Sequence, residues 1–310
     1  MEFGITVPTG KPFDAVALGL NAVDHLIVAP RYPEFNSKVR YKSHRLAAGG
    51  QCATAMVALS RLGLRARYIG KVGDDDIGRF QINSVVSEGV TADISVVEGA
   101  ETQTAFIIVD EASGERTILW SRDAAVATRP EEVDQEAVTS GRVLHLDGHD
   151  VEAAIVAARA ARAAGIPTVL DIDNIYPGTE GLLPLIDFMI SSASFAARMT
   201  GESDLRTALR QLAGQNGSLV TGSTLGEDGV LIYLRGQFVH SPAFRVECRD
   251  TTGAGDAFHA GFIYGLLAGQ TVEETLRFAN AVAALKCRAV GARTGLPTLG
   301  EAQAFLAGGH

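Results

Sequence analysis

Cysteine is scarce: Cys52, Cys248 and Cys287 are the only three in 310 residues, and no two form a C-x-x-C pair. That spacing excludes a disulfide framework or a zinc ribbon and fits a reducing compartment, so a cytoplasmic location is expected. No apolar run reaches the roughly 18 residues of a membrane span. The opening residues MEFGITVPTGKPFD lack a basic segment leading into an apolar one, so no secretory leader is expected. A basic excess is missing too. The chain has 27 Lys and Arg against 36 Asp and Glu, a net charge of −9, which argues against a nucleic-acid partner. No G-x-x-x-x-G-K-[ST] occurs, which excludes a P-loop enzyme, and no G-x-G-x-x-G opens a helix after the first strand, as a dinucleotide dehydrogenase would need. H-E-x-x-H is absent, and there is no repeat, low-complexity segment or linker. Tryptophan occurs once, as Trp120.

What is present is a folding composition, with 46% hydrophobic and 20% charged residues. Short apolar strands alternate with helices. Strands are expected at 14–20, 67–72, 143–146, 168–172, 188–191, 218–221 and 230–234. Helices are expected at 53–62, from the acidic 73–78 turn to about 87, and at 151–164, 254–268 and 273–288. This rhythm predicts an α/β fold: a mostly parallel, doubly covered sheet in one domain spanning 1–310. Two stretches break it, about 25–46 and 95–126. Within the first, Val39 and Tyr41 alternate with Lys38, Arg40, Lys42 and His44. In the second, Phe106–Val109, a turn at Glu111–Glu115 and Arg116–Trp120 read as a hairpin. Together they predict a small β-sheet that acts as a lid.

The strongest chemical signal is DTTGAGDAF, Asp250 to Phe258. Gly253, Ala254 and Gly255 stand where a helix begins, with small side chains that leave backbone N–H groups open to an anion. Asp256, in the first turn, can take a proton from a hydroxyl beside that anion. The plain alternative is a helix-start acid in an ordinary turn. Downstream, Ala257, Gly261 and Gly265 form a small-residue stripe that predicts close helix packing.

DTTGAGDAFHAGF, with AGGQCATAMVALSRLG (48–63) and IGKVGDDDIGRF (69–80), resembles the signatures of the ribokinase-like (pfkB) carbohydrate kinases. EASGERTIL (111–119) and FANAVAALKC (278–287) look most like the branch holding fructokinases, ketohexokinases and sulfofructose kinase. The resemblance implies a three-layer α/β/α domain with a β-lid. It also implies ATP-dependent phosphorylation of a ketose such as fructose, or a related sugar, with Mg²⁺. By the same likeness Asp256 is the base and Gly253, Ala254 and Gly255 the anion hole. Asp24 holds sugar hydroxyls, Gly49 and Gly50 let the sugar approach, and Asp147 lies near it. Thr224, Gly226 and Gly229 border the nucleotide, and Asn280 lies on the helix beside adenine. A K⁺ ion beside Asp250 and the 291–295 loop, and a homodimer through the lid, are further implications. Gln51 and Thr54 stand where many relatives carry Asn, so the sugar contacts and the substrate are expected to differ. Ser192 and Phe195 occupy the place of the N-x-x-E magnesium motif. Phosphorylation of a nucleoside, or of a phosphorylated or sulfonated sugar, is the rival activity. A catalytically inactive sugar-binding regulator is the rival outside the enzymes.

Other residues have two readings each. Asp74, Asp75 and Asp76 read as a turn before a helix rather than a metal cluster. Lys38, Arg40, Lys42 and His44 form one strand face, either solvated or an anion site. Arg122 is a second candidate for an anion. His145 is expected to be buried, and His259 to bond rather than act as a base. Trp120 packs the lid or walls the sugar.

Overall fold

The computed structural model describes residues 1–113 and 116–308. Its strands in chain order are β1 (Phe13–Leu18), β2 (Ala22–Ala29), β3 (Ser43–Gly49), β4 (Ala66–Gly73), β5 (Thr91–Val97), β6 (Thr104–Asp110), β7 (Arg116–Ser121), β8 (Gly141–Leu146), β9 (Thr168–Ile172), β10 (Phe188–Ser191), β11 (Val220–Thr224), β12 (Val230–Leu234) and β13 (Gln237–Ser241). Nine of them form one sheet in the order β13-β12-β11-β10-β9-β8-β1-β4-β5. The run from β11 to β5 is parallel, and β12 is antiparallel to both of its neighbours.

Alternate residues of each central strand feed two separate cores. Ala15, Ala17, Val143, Val169, Phe188 and Ile190 pack with the Gln51–Arg61, Ala254–Leu267 and Val272–Cys287 helices. Val16, Leu18, Leu144, Leu146, Leu170 and Met189 pack with the Val151–Ala163 and Leu205–Asn216 helices. Period-2 strands buried on both faces thus produce the expected three layers.

A second sheet, β3-β2-β6-β7, stands apart from the first. It comes from the two excursions, with corrected limits. Ser95–Val97 belongs to β5 at the edge of the large sheet, paired with Lys71–Gly73. Residues 38–42 form no strand, so Lys38, Arg40, Lys42 and His44 share no strand face, and the alternation of Val39 and Tyr41 fails with it. Lys42 instead pairs with Glu111. The β6–β7 hairpin forms as expected, although part of the turn expected at Glu111–Glu115 lies outside the described residues.

The stripe of small residues sets helix packing. A Cβ at Gly261 would lie 2.7 Å from the Cα of Ala279, so the two helices meet backbone to backbone. Gly261→Val is expected to destabilise the fold by about 2 kcal/mol or more. Urea unfolding of the two proteins measures this, and an unchanged midpoint would contradict the close approach.

Candidate active site

The parallel strands end on one side of the sheet, where α/β folds place their ligands. Asp147 follows β8, Asp171 and Asp173 flank the end of β9, and the Ala254–Leu267 helix starts there with Gly253 as its N-cap. Gly253 has φ +78°, and a Cβ on it would lie 2.7 Å from the Ala292 carbonyl oxygen, so glycine satisfies both demands. Among the described residues no acceptor faces the N–H groups of Gly253, Gly255 or Asp256. The Ala254 amide differs from expectation, donating to the Thr251 carbonyl at 3.1 Å. The open amides therefore belong to Gly253, Gly255 and Asp256.

Asp256 is buried. Burial and the nearby Asp171 carboxylate push its carboxyl well up, against the opposing pull of His259, Arg293 and Lys286. His259 bonds as expected: Nδ1 lies 2.9 Å from the Gly255 carbonyl and Nε2 3.0 Å from that of Ile190. It thereby fixes the peptide that precedes Asp256. His145 is fully buried, and burial pushes its pKa down to about 3.

Asp24 on β2 is also buried and accepts no hydrogen bond among the described residues. Burial raises its pKa to about 6, with Arg293 opposing and Asp250 adding to the rise. A Cβ at Gly49 would come within 2.7 Å of its Oδ2. Gly50, at φ +89°, caps the helix that starts at Gln51 and lies close against Asn21. Gln51 Oε1 meets His149 Nε2 at 2.8 Å.

Thr54 and Asp147 are both engaged by groups of the protein itself. Thr54 is fully buried and accepts from Arg293 Nε at 3.2 Å. Asp147 accepts from the backbone N–H of His149, which closes the turn after β8, and from that of Leu20, which ties this turn to the end of β1. Arg122 is committed to a two-pronged pair with Asp150, both contacts at 2.8 Å. Asp75 caps the Asp76–Val86 helix through the Gly78 amide at 2.6 Å.

On the other flank, Thr224 ends β11, and Gly226 and Gly229 bracket the turn into β12. Asn280 is buried, and its amide nitrogen donates to the carbonyls of Ser241 and Pro242, both at 3.0 Å. It shapes that corner rather than pointing a free amide outward.

Arg293 escapes sequence reasoning. It is buried and donates to the Gly49 carbonyl at 2.6 Å, Ser84 Oγ at 3.0 Å and Thr54 Oγ1 at 3.2 Å. Burial lowers its pKa to about 10, against the pull of Tyr68, Asp256 and Asp24. A lone arginine in GARTGLP carries no periodic signal. Asp171 did leave one, an acid inside the apolar strand TVLDI.

The metal expectations meet different outcomes. Phe195 lies in the core, and Ser192 Oγ donates to the Asp173 carbonyl at 3.4 Å, so the N-x-x-E place offers no carboxylate. Among the described residues no group of three His, Cys, Asp or Glu could hold a metal. Beside Asp250, the Lys286 ammonium donates to its carbonyl at 2.8 Å, while Gly291 and Thr252 fill its carboxylate. The Lys286 ammonium thus lies at Asp250, the residue beside which a K⁺ ion is expected.

The pfkB family of carbohydrate kinases matches residues 14–299. This chain belongs to that family. An ATP-dependent ribose-1-phosphate kinase of Halopiger xanaduensis is 33% identical over 282 residues, covering 89% of this chain and 92% of its own. A ribokinase of Haemophilus influenzae is 30% identical over 298 residues, covering 93% and 97%. The crystal structure of a Xylella fastidiosa fructokinase with bound ATP superposes with a TM-score of 0.80 at 25% identity, covering 95% of this chain and 98% of that one. The carbohydrate kinase is ribokinase-like in fold, and no helix among its described residues is long and apolar enough to cross a membrane.

The raised pKa of Asp24 has a definite sign. Its folded value, about 6, exceeds the ordinary 3.8, so this group favours the folded state at low pH. That contribution fades as pH rises through 6, by about 3 kcal/mol in all. Asp24→Asn is therefore expected to be more stable than wild type at pH 7.5, with the gain shrinking toward pH 4. Urea unfolding at the two pH values reads this, and equal stability at both would contradict the buried charge.

Proposed function

We propose that this carbohydrate kinase transfers the γ-phosphoryl group of ATP to a hydroxyl of a ketose such as fructose, or a related sugar. The reading is carried by one observation: a buried, basic carboxylate, Asp256, shares the first turn of a helix with the unpaired amides of Gly253, Gly255 and Asp256. The Asp256 carboxylate takes the proton from the acceptor hydroxyl as the oxygen attacks in line. The amides and the helix dipole hold the charge that builds on the transferring oxygens. Asp24, with the close backbone of Gly49 and Gly50, holds the sugar hydroxyls, and Gln51 lines the same floor. Thr224, Gly226 and Gly229 border the nucleotide, and Asn280 holds the corner beside it. Mg²⁺ arrives with ATP as part of the substrate, which agrees with the lack of any group of three His, Cys, Asp or Glu for a metal among the described residues.

The small sheet serves as a lid that excludes water. From β7, Arg116 Nη1 already reaches Thr251 Oγ1 at 2.6 Å. The outer face of this sheet exposes Leu46, Phe106 and Leu119, which supports a homodimer through the lid. A phosphorylated sugar is the second reading. Arg45, paired in register with Leu26, shares the Asp24 face of the sheet and has no acidic partner among the described residues. The name of the Halopiger relative points the same way.

ADP release with neutral ketoses, pentoses, sugar phosphates and nucleosides separates these substrates. Saturable ATP binding without turnover of any of them would favour the inactive regulator. Asp256→Asn is expected to lower kcat by about 10²–10⁴-fold, with ATP affinity by calorimetry unchanged. Undiminished turnover would remove Asp256 from the base role.

A further inference from the structure

The cleft-facing side of β7 carries a feature that phosphoryl transfer leaves unused. Residues paired across a sheet share a face. Asp24 pairs with Ala105, and Ala105 pairs with Trp120, so the indole leaves the sheet on the same side as the Asp24 carboxylate. That side is the inner one. Leu26, Ala105 and Ile107 are buried there, packed against Val290 beside Gly291. Trp120 is nevertheless 65% exposed and Ile118, two residues before it, 47%. The indole stacks on no other ring among the described residues. The exposed outer residues Leu46, Phe106 and Leu119 lie on the opposite face and do not continue this strip.

Two contacts fix where the strip lies. Arg116, on the same side of β7, touches Thr251 beside the Gly253–Asp256 turn. Trp120 is four residues further on, about 13 Å along the strand, and level with Asp24 two strands away. Neighbouring strands are about 4.8 Å apart, so the backbone of Trp120 stands roughly 10 Å from that of Asp24 across the sheet. That gap suits a ring whose hydroxyls bond on one edge and whose carbon face meets an aromatic plane.

We infer that Trp120 is a specificity-determining residue of the acceptor site, its indole forming the wall against the carbon-bearing face of the sugar that Asp24 holds. The inference rests on the proposed sugar kinase activity. Sugar rings present C–H bonds on one face, and covering these with an indole removes apolar area from water without asking for a hydrogen bond. A wall carried on the small sheet also makes acceptor binding and lid position favour one another. Acceptors with a flat apolar face are selected, and open-chain polyols are not.

Trp120 is the only tryptophan, so emission excited at wavelengths that the six tyrosines do not absorb reports on this wall alone. The probe is whichever of fructose, ribose, ribose 1-phosphate and adenosine the wild-type enzyme phosphorylates, added with a non-hydrolysable ATP analogue. The expected result is a saturable blue shift of emission whose midpoint follows the KM for that acceptor. Trp120→Ala is expected to raise that KM about tenfold while the KM for ATP stays put, and Trp120→Phe to restore most of it. Emission that ignores a saturating acceptor, or an alanine variant with unchanged KM, overturns the inference. So does a blue shift that depends on protein concentration without sugar, which assigns the indole to a contact between copies. If the wild type phosphorylates none of the four, the activity itself has failed, and the sugars are then titrated for the emission shift alone; silence there overturns the wall as well.

Discussion

One buried guanidinium holds together the part of the cleft proposed for the acceptor. Arg293 has no carboxylate in direct contact, yet its donors reach the Gly49 carbonyl, Thr54 and Ser84. Those three groups belong to the end of β3, the helix that follows it and the Asp76–Val86 helix. Its charge is balanced at longer range by Asp24 and Asp256. Burying a cation this way is costly unless its nitrogens find acceptors and a counter-charge lies near. Each of the three Arg293 nitrogens has one acceptor, and Arg293 in turn tempers two carboxylates that burial pushes toward neutrality. The two acids proposed for acceptor binding and proton transfer are thus linked through a residue proposed for neither.

The frame of this protein was legible because it follows from period. β9, β10 and β12 fall where apolar runs predict them, and the Ala254–Leu267 helix begins at the predicted residue. Both faces of the central strands are buried, so their runs are continuous and easy to read. The small sheet was harder. Its strands are half exposed, and the polar alternation at 38–44 resembled a strand that the chain does not form. β3 starts only at Ser43, where pairing with β2 begins. Ser95–Val97 was drawn into the wrong sheet because β5 is an edge strand with a mixed surface.

At the site, residues in contiguous motifs could be found and residues acting across the fold could not. Asp256 and its glycines declare themselves because helix start, small side chains and acid are adjacent in sequence. Thr54 sits one turn into a helix, and only the packing of Arg293 against it shows that its hydroxyl is spent. Asp147 reads as a free acid at a strand end, but the His149 amide of its own turn and the Leu20 amide just past neighbouring β1 both use it as an acceptor. Lys286, on the buried side of the Val272–Cys287 helix, reads as an ordinary last-turn base until its ammonium is seen on the Asp250 carbonyl.

The pairing of β1 with β8 sets Phe13 beside Gly141. The whole small sheet, and the helices on either side of it, lie within the loop that this ladder closes. The middle of the large sheet is therefore an event of high contact order, slow to form by chain diffusion alone. The nascent chain must emerge well past Leu146 before its first strand gains that neighbour. Until then β1 depends on β4 alone, and the edge awaiting β8 is open to strands of other chains.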